Sequence, residues 1–147
     1  MLSLRHLATL AALAGLTTLA PAPAISDAAA PRVEPPIEID VMELTGITWV
    51  VGDPLPPEVT RYDGKKVVIN GYMHGSVTGD VSEFPLVSDA CQCTGELQPH
   101  HFIDVDLGDS QTGPIPGSFE VIGRLKVSVK ERDGFVHSVY RLRGRLY

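Results

Sequence analysis

The chain has 147 residues, two cysteines and a formal net charge of −6, and 44% of its residues are hydrophobic. A chain of this length provides one small domain with a single core. Its acidic balance argues against a nucleic-acid partner, because affinity for a duplex comes largely from cationic side chains that neutralise phosphates.

The first 24 residues have the pattern of a secretory signal peptide. Arg5 and His6 form a short basic region, an apolar run follows over Leu7–Leu19, and Ala22–Ala24 fits an A-x-A cleavage site. The apolar run is interrupted by threonines and is shorter than the ~20 residues that span a bilayer, so we expect cleavage after Ala24 rather than anchoring. We therefore expect a periplasmic or secreted protein with no integral membrane span after cleavage.

The next segment, residues 25–46, combines prolines, acids and small residues without a sustained period. This composition predicts an extended, acidic, proline-rich tether. The folded domain is then expected over residues 47–147. Trp49, the only tryptophan, is expected to cover one end of its core.

The domain itself is predicted to be all-β, because apolar and polar residues alternate in five short segments. These segments are residues 63–73, 83–88, 101–107, 118–130 and 135–147. Pro85 marks the second segment as an edge strand or a bulge. We predict a small five-stranded OB-like barrel, with a small open sandwich as the alternative.

The strongest local pattern lies in the last two segments, where Asp133-Gly134 predicts a tight hairpin turn. Alternation along this hairpin predicts a set of inward-facing residues. They are Phe119, Val121, Gly123, Leu125, Val127, Val129, Val136, Tyr140, Leu142 and Leu146. Glycines inside strands, at Gly71, Gly123 and Gly144, are expected to allow the sharp coiling that closure requires.

One set of residues combines the tryptophan with positions in the first two predicted strands and a cysteine: Trp49, Asp63, Gly64, Lys65, Val67, Ile69, Gly71, Tyr72, Met73, Phe84, Leu86, Val87 and Cys91. This set resembles the DUF3299 family of small exported bacterial proteins. The likeness covers residues 47–106 and, more weakly, the final hairpin. It implies an OB-like fold and no established activity.

Both cysteines and two of the five histidines lie within "ACQCTGELQPHHF", residues 90–102. The thiolates of Cys91 and Cys93 can bind one soft ion, copper or zinc, and one imidazole can complete its coordination. That imidazole would come from His100, His101 or His74. Two alternatives remain open at this spacing: a strained disulfide without further function, and a thiol-redox pair.

Charged residues outside this loop give two weaker hypotheses. The outward positions of the last segment place Arg141, Arg143 and Arg145 on one face, where they would bind an envelope protein partner or form an ordinary solvated surface. Asp104 and Asp106 alternate on a strand, which favours a solvated edge over a hard-cation site.

The sequence contains no nucleophile elbow, zinc-protease helix, phosphate loop or dinucleotide motif. We therefore expect a protein that is not an enzyme. The leading hypothesis is an exported OB-like binding or accessory module that handles a metal or belongs to an envelope transport complex. The alternatives are a thiol-redox protein and a protein-binding domain that acts through its basic hairpin.

Overall fold

The computed structural model describes residues 34–89 and 97–147. The predicted signal peptide, most of the predicted tether, Cys91 and Cys93 lie outside the described residues. The elements in chain order are β1 (Ile37–Asp40), α1 (Val41–Thr45), α2 (Pro57–Thr60), β2 (Lys66–Met73), β3 (Glu83–Val87), β4 (Ile103–Asp106), β5 (Ser118–Arg132) and β6 (Phe135–Leu146).

The strands form one sheet whose hydrogen bonds close a ring. β2 pairs with β3, β3 with β4, β4 with β6 and β6 with β5, and β5 returns to β2. The β4–β6 pair is parallel, and the other four pairs are antiparallel. This closed order of five strands is the connectivity of an OB-type barrel. The predicted all-β, OB-like fold is confirmed.

The interior of the ring is filled by the side chains that alternation places on one face of each strand. Its fully buried members include Tyr140, Phe84, Ile69, Leu86, Ile103, Leu125, Leu142, Val67, Val105 and Val121. Two predicted inward positions are wrong: Val129 is 41% exposed and Leu146 is 37% exposed. A β-bulge between Val127 and Lys130 shifts the register around Val129, and Leu146 ends β6 beside the chain terminus.

The N-terminal boundary also differs from the prediction, because residues 37–45 of the predicted tether are folded. β1 runs parallel to β2, with Ile39 opposite Ile69. Asp40 then caps α1 by accepting a hydrogen bond from the backbone N of Met42 at 2.8 Å. Leu44 in α1 is fully buried in the core. The folded unit therefore begins before residue 47, and within the described residues its sheet contains the five strands of the ring and β1 beside them.

Paired glycines bring β5 and β6 close together on one side of the ring. Gly123 lies opposite Gly144. A Cβ on Gly123 would lie 2.8 Å from the Cα of Gly144, and a Cβ on Gly144 would collide with the carbonyl oxygen of Ile122. Both approaches are too short for any side chain, so the predicted role of these glycines in strand coiling is supported.

Trp49 lies in the connection between the two helices and belongs to the core, where it is 6% exposed. Its indole N–H donates to the backbone oxygen of Asp53 at 3.0 Å. Neither helix found in the described residues has the length and apolar character needed to cross a bilayer.

Candidate functional site

A buried histidine lies on the described flank of the cysteine-bearing loop, just before β4. His100 is 8% exposed, and its ring contacts the rings of Trp49 at 5.8 Å and His101 at 4.3 Å between centroids. The backbone N of Val139 donates to the oxygen of Pro99 at 3.1 Å, which ties this segment to β6. The position of His100 is therefore set by both the core and the barrel wall.

The chemistry of His100 follows from its burial. Desolvation, with a smaller effect of neighbouring His101, lowers the pKa of the His100 imidazole below its ordinary value. Its Nδ1 is buried and has no hydrogen-bond partner among the described residues. A neutral imidazole with an unused ring nitrogen is the form in which histidine binds a metal ion.

The other histidines predicted as ligands are placed differently. His74 lies on the β2–β3 connection, where its backbone N donates to Pro85 O and its Nδ1 lies 2.7 Å from the hydroxyl oxygen of Ser76. His101 is exposed, next to His100. Of the three histidines, His100 alone is buried with an unused ring nitrogen in the described structure.

The metal site as predicted stays a prediction, because Cys91 and Cys93 lie outside the described residues. Within residues 34–89 and 97–147, no three His, Cys, Asp or Glu side chains form a group that could hold a metal ion. Any site here would need the two thiolates in addition to His100.

A second group of candidate residues lies on the outer face of β5 and β6. Arg141, Arg143 and Arg145 all point outward and are exposed, as predicted. The strand register places Arg141 opposite Lys126 and Arg143 opposite Arg124. These four cations meet around an open pocket of about 410 Å³, here called the basic pocket. Its lining residues are Gly64, Asp106, Arg124, Leu125, Lys126, Arg141 and Arg143.

Arg145 does not line the basic pocket, although the sequence pattern grouped it with the other two arginines. It lies opposite Ile122, one alternation further along β6. Alternation along β5 also places Arg124 and Lys126 among the outward cations of this hairpin, but alternation alone does not show which arginine each of them faces. Counting back from the two-residue turn at Asp133-Gly134 would have paired them with the arginines, because the pairing register at these positions follows from that turn.

The prediction of a solvated edge is wrong for Asp104, because this residue is buried. Its side chain is 9% exposed, and its Oδ2 lies 2.9 Å from Lys130 Nζ and 4.0 Å from His137 Nε2. Because β5 and β6 extend past β4, they cover this carboxylate. The Lys130 pairing gives Asp104 a structural role.

A solved structure shares this architecture. A DUF3299 family protein from Pseudomonas aeruginosa superposes with a TM-score of 0.51 at 20% sequence identity, covering 78% of this chain and 97% of that one. The chain has the fold of a DUF3299 protein. This confirms the resemblance at the level of fold, and an identity this low carries nothing about activity. No protein-family model and no curated protein matches the chain.

Proposed function

We propose that the chain is an exported, non-enzymatic binding module of OB type that handles a soft metal ion, copper(I) or zinc, in the cell envelope. The ligands are the thiolates of Cys91 and Cys93 and the Nδ1 atom of His100. The single observation that carries this proposal is the buried His100 ring, whose Nδ1 has no hydrogen-bond partner in the described structure.

Physical chemistry supports this choice of histidine. A buried polar atom without a partner has a free-energy cost, so such atoms are rare unless a ligand or water uses them. Because burial lowers the pKa of His100, the ring is neutral at neutral pH and needs to lose no proton before it binds a metal ion. Two thiolates and one imidazole match the ligand preferences of copper(I) and zinc.

The test has to control the oxidation state of the two cysteines. The signal-peptide pattern directs the cysteines to an oxidising compartment, where thiols pair unless a metal or a reductant protects them. The cysteines of the exported protein are therefore reduced under anaerobic conditions, and the protein is equilibrated with zinc or copper(I). It is then desalted, and the bound metal is measured by mass spectrometry. We expect about one ion per chain, retained through desalting.

Matched variants separate this site from adventitious binding. Cys91→Ser and His100→Asn should lose the ion, whereas His101→Asn and His74→Asn should retain it. Circular dichroism of each variant shows whether the barrel is intact. Failure of the reduced protein to retain either metal overturns the proposal, and so does equal loss in the His74 and His100 variants. A pair that binds no metal but exchanges with glutathione would favour the thiol-redox alternative.

A further inference from the structure

The basic pocket has a charge arrangement that the fold alone does not explain. Lys126 lies directly opposite Arg141, and Arg124 lies directly opposite both Arg143 and Lys66. Like charges directly opposite one another on neighbouring strands destabilise a sheet. Violations of a local rule of this kind concentrate at functional sites.

The nearby carboxylates compensate only part of this charge. Lys126 pairs with Asp63 at 3.1 Å, and Arg143 Nε lies 3.8 Å from Asp106. Arg124 donates to the backbone oxygen of Gly64 at 2.5 Å, which leaves its charge unbalanced. Two carboxylates thus accompany four cations, so about two positive charges are left over.

Arg141 lies in the middle of this arrangement. Its neighbour on β4 is Asp104, but the carboxylate of Asp104 is already paired with Lys130 at 2.9 Å. Across the described ranges, the guanidinium of Arg141 has no ion pair and no hydrogen bond with another side chain. Arg141 lines the pocket, and its N–H donors are available to a ligand there.

We propose that the basic pocket is a binding site for a small dianionic ligand, anchored by Arg141 and Arg143. The planar guanidinium group matches the geometry of phosphate and carboxylate oxygens and can donate two parallel hydrogen bonds to either. The volume of about 410 Å³ lies within the range of small-molecule sites. A phosphate monoester or a dicarboxylate carries two negative charges and would balance the two excess positive charges of the pocket.

The acidic residues favour a compact ligand over an extended polyanion. Asp106 lies at the β4 side of the cations and Asp63 at the opposite side, next to Lys126. A nucleic acid or a sulfated glycan that ran across this face would meet both carboxylates. A small dianion would contact the four cations between them, which is the ligand class that the pocket fits.

The test is a calorimetric titration of the purified full chain with inorganic phosphate and, separately, with succinate, at constant ionic strength. We expect at least one of the two anions to bind saturably, and the one that binds shows whether the ligand is a phosphate or a dicarboxylate.

Arg141→Gln should weaken the binding of that anion by about tenfold or more, because a hydrogen bond to a charged partner contributes on that order. Arg145→Gln is the matched control, since it removes the same charge from the same strand outside the pocket, and its affinity should stay within about twofold.

The stability of the ligand-free Arg141 variant shows whether Arg141 serves binding or only the fold. Because Arg141→Gln removes like-charge repulsion, the ligand-free variant should unfold at the same or a higher urea concentration than the wild-type chain. Saturable binding of neither dianion overturns the proposal, and so does an equal loss in the Arg145 variant. Tighter binding of heparin than of phosphate, lost equally in both variants, would instead identify an extended polyanion surface.

Discussion

Tyr140 joins the interior of the barrel to its N-terminal helix. Its side chain is fully buried, and its hydroxyl donates a hydrogen bond to the backbone oxygen of Leu44 at 2.6 Å. Burial raises the pKa of this hydroxyl far above its ordinary value, so it remains a donor. The contact satisfies a carbonyl at the end of α1 that has no partner within a helix of only five residues.

Replacing this hydroxyl tests its contribution. Tyr140→Phe keeps the ring but leaves the oxygen of Leu44 buried without its donor, so we expect a loss of about 1–3 kcal/mol in the free energy of unfolding. Urea unfolding monitored by circular dichroism measures it. Tyr72→Phe is the control, because Tyr72 is only half-buried, and equal losses in the two variants would contradict the expectation.

Asp63 couples the start of β2 to β5 and makes stability depend on pH. The hydrogen bond from the backbone N of Val127, at 2.9 Å, and then the ammonium of Lys126 lower the pKa of the Asp63 carboxyl. Since its pKa is lower in the folded state, the unfolded chain takes up this proton first as the pH falls. Its stabilising contribution is complete above about pH 4 and is lost as the pH falls through the folded-state pKa.

Asp63→Asn should therefore differ most from the wild-type chain near neutral pH. We expect the gap between their free energies of unfolding to narrow as the pH is lowered from about 6 to about 2.5, because the wild-type carboxyl then progressively loses its charge. Urea titrations at several pH values measure this gap. A gap that stays constant over the whole range would show that ionisation of Asp63 does not contribute.

At the level of elements, the β5–β6 hairpin determines both the curvature of the barrel and the position of the basic pocket. Gly123 and Gly144 allow the two strands to approach, and the turn at Asp133-Gly134, where both residues have positive φ, sets their register. Beyond the register shift after Val127, Lys130 of β5 and His137 of β6 lie beside Asp104 of β4. One hairpin thereby builds part of the core, the basic pocket and the cover of Asp104.

A single methyl group should show how closely these strands approach. Gly144→Ala places a Cβ against the backbone oxygen of Ile122, so we expect a loss of ~1–3 kcal/mol or more as the strands are forced apart. Gly79→Ala is the matched control, because a Cβ there meets no atom within 4 Å. Thermal unfolding compares the two, and a neutral Gly144→Ala would mean that β5 and β6 can separate at little cost.

At the level of the whole molecule, residues 37–45, which carry β1 and α1, are part of the fold. β1 extends the sheet beside β2, and Leu44 and Trp49 enter the same core as the strands of the ring. The chain therefore depends on residues that composition alone would assign to a linker.

Two substitutions in α1 test this dependence. Leu44→Ala should cost about 2–5 kcal/mol, because it leaves a cavity in a fully buried position. Met42→Ala, in the same helix but at a residue that is 56% exposed, should stay within about 0.5 kcal/mol of the wild-type value. Urea unfolding of both variants is the measurement. Similar small effects would indicate that α1 is only loosely attached.

The sequence predicts the features that depend on residues close together in the chain. Alternation and the Asp133-Gly134 turn located the hairpin, and strand glycines indicated the coiling. β1 had only a weak signal: its four residues, Ile37–Asp40, alternate between apolar and acidic, but the run is short, follows two prolines and pairs with a strand about 30 positions away. The bulge that exposes Val129 and the burial of Asp104 likewise depend on contacts between distant segments.

The candidate sites were likewise predicted only as far as neighbouring residues determine them. Outward alternation identified Arg141 and Arg143, but the pocket needs the register with Arg124 and Lys126. For the histidines, the sequence left His74, His100 and His101 equivalent, since burial and an unused ring nitrogen are properties of the folded chain.

The contact between Trp49 and His100 gives the protein a built-in optical reporter. The chain has one tryptophan, and its indole packs edge-on against the histidine that flanks the cysteine-bearing loop. A change in charge or ligation at that imidazole alters the surroundings of the only indole fluorophore. Emission from the unlabelled protein can therefore follow events at this end of the barrel in real time, without a dye.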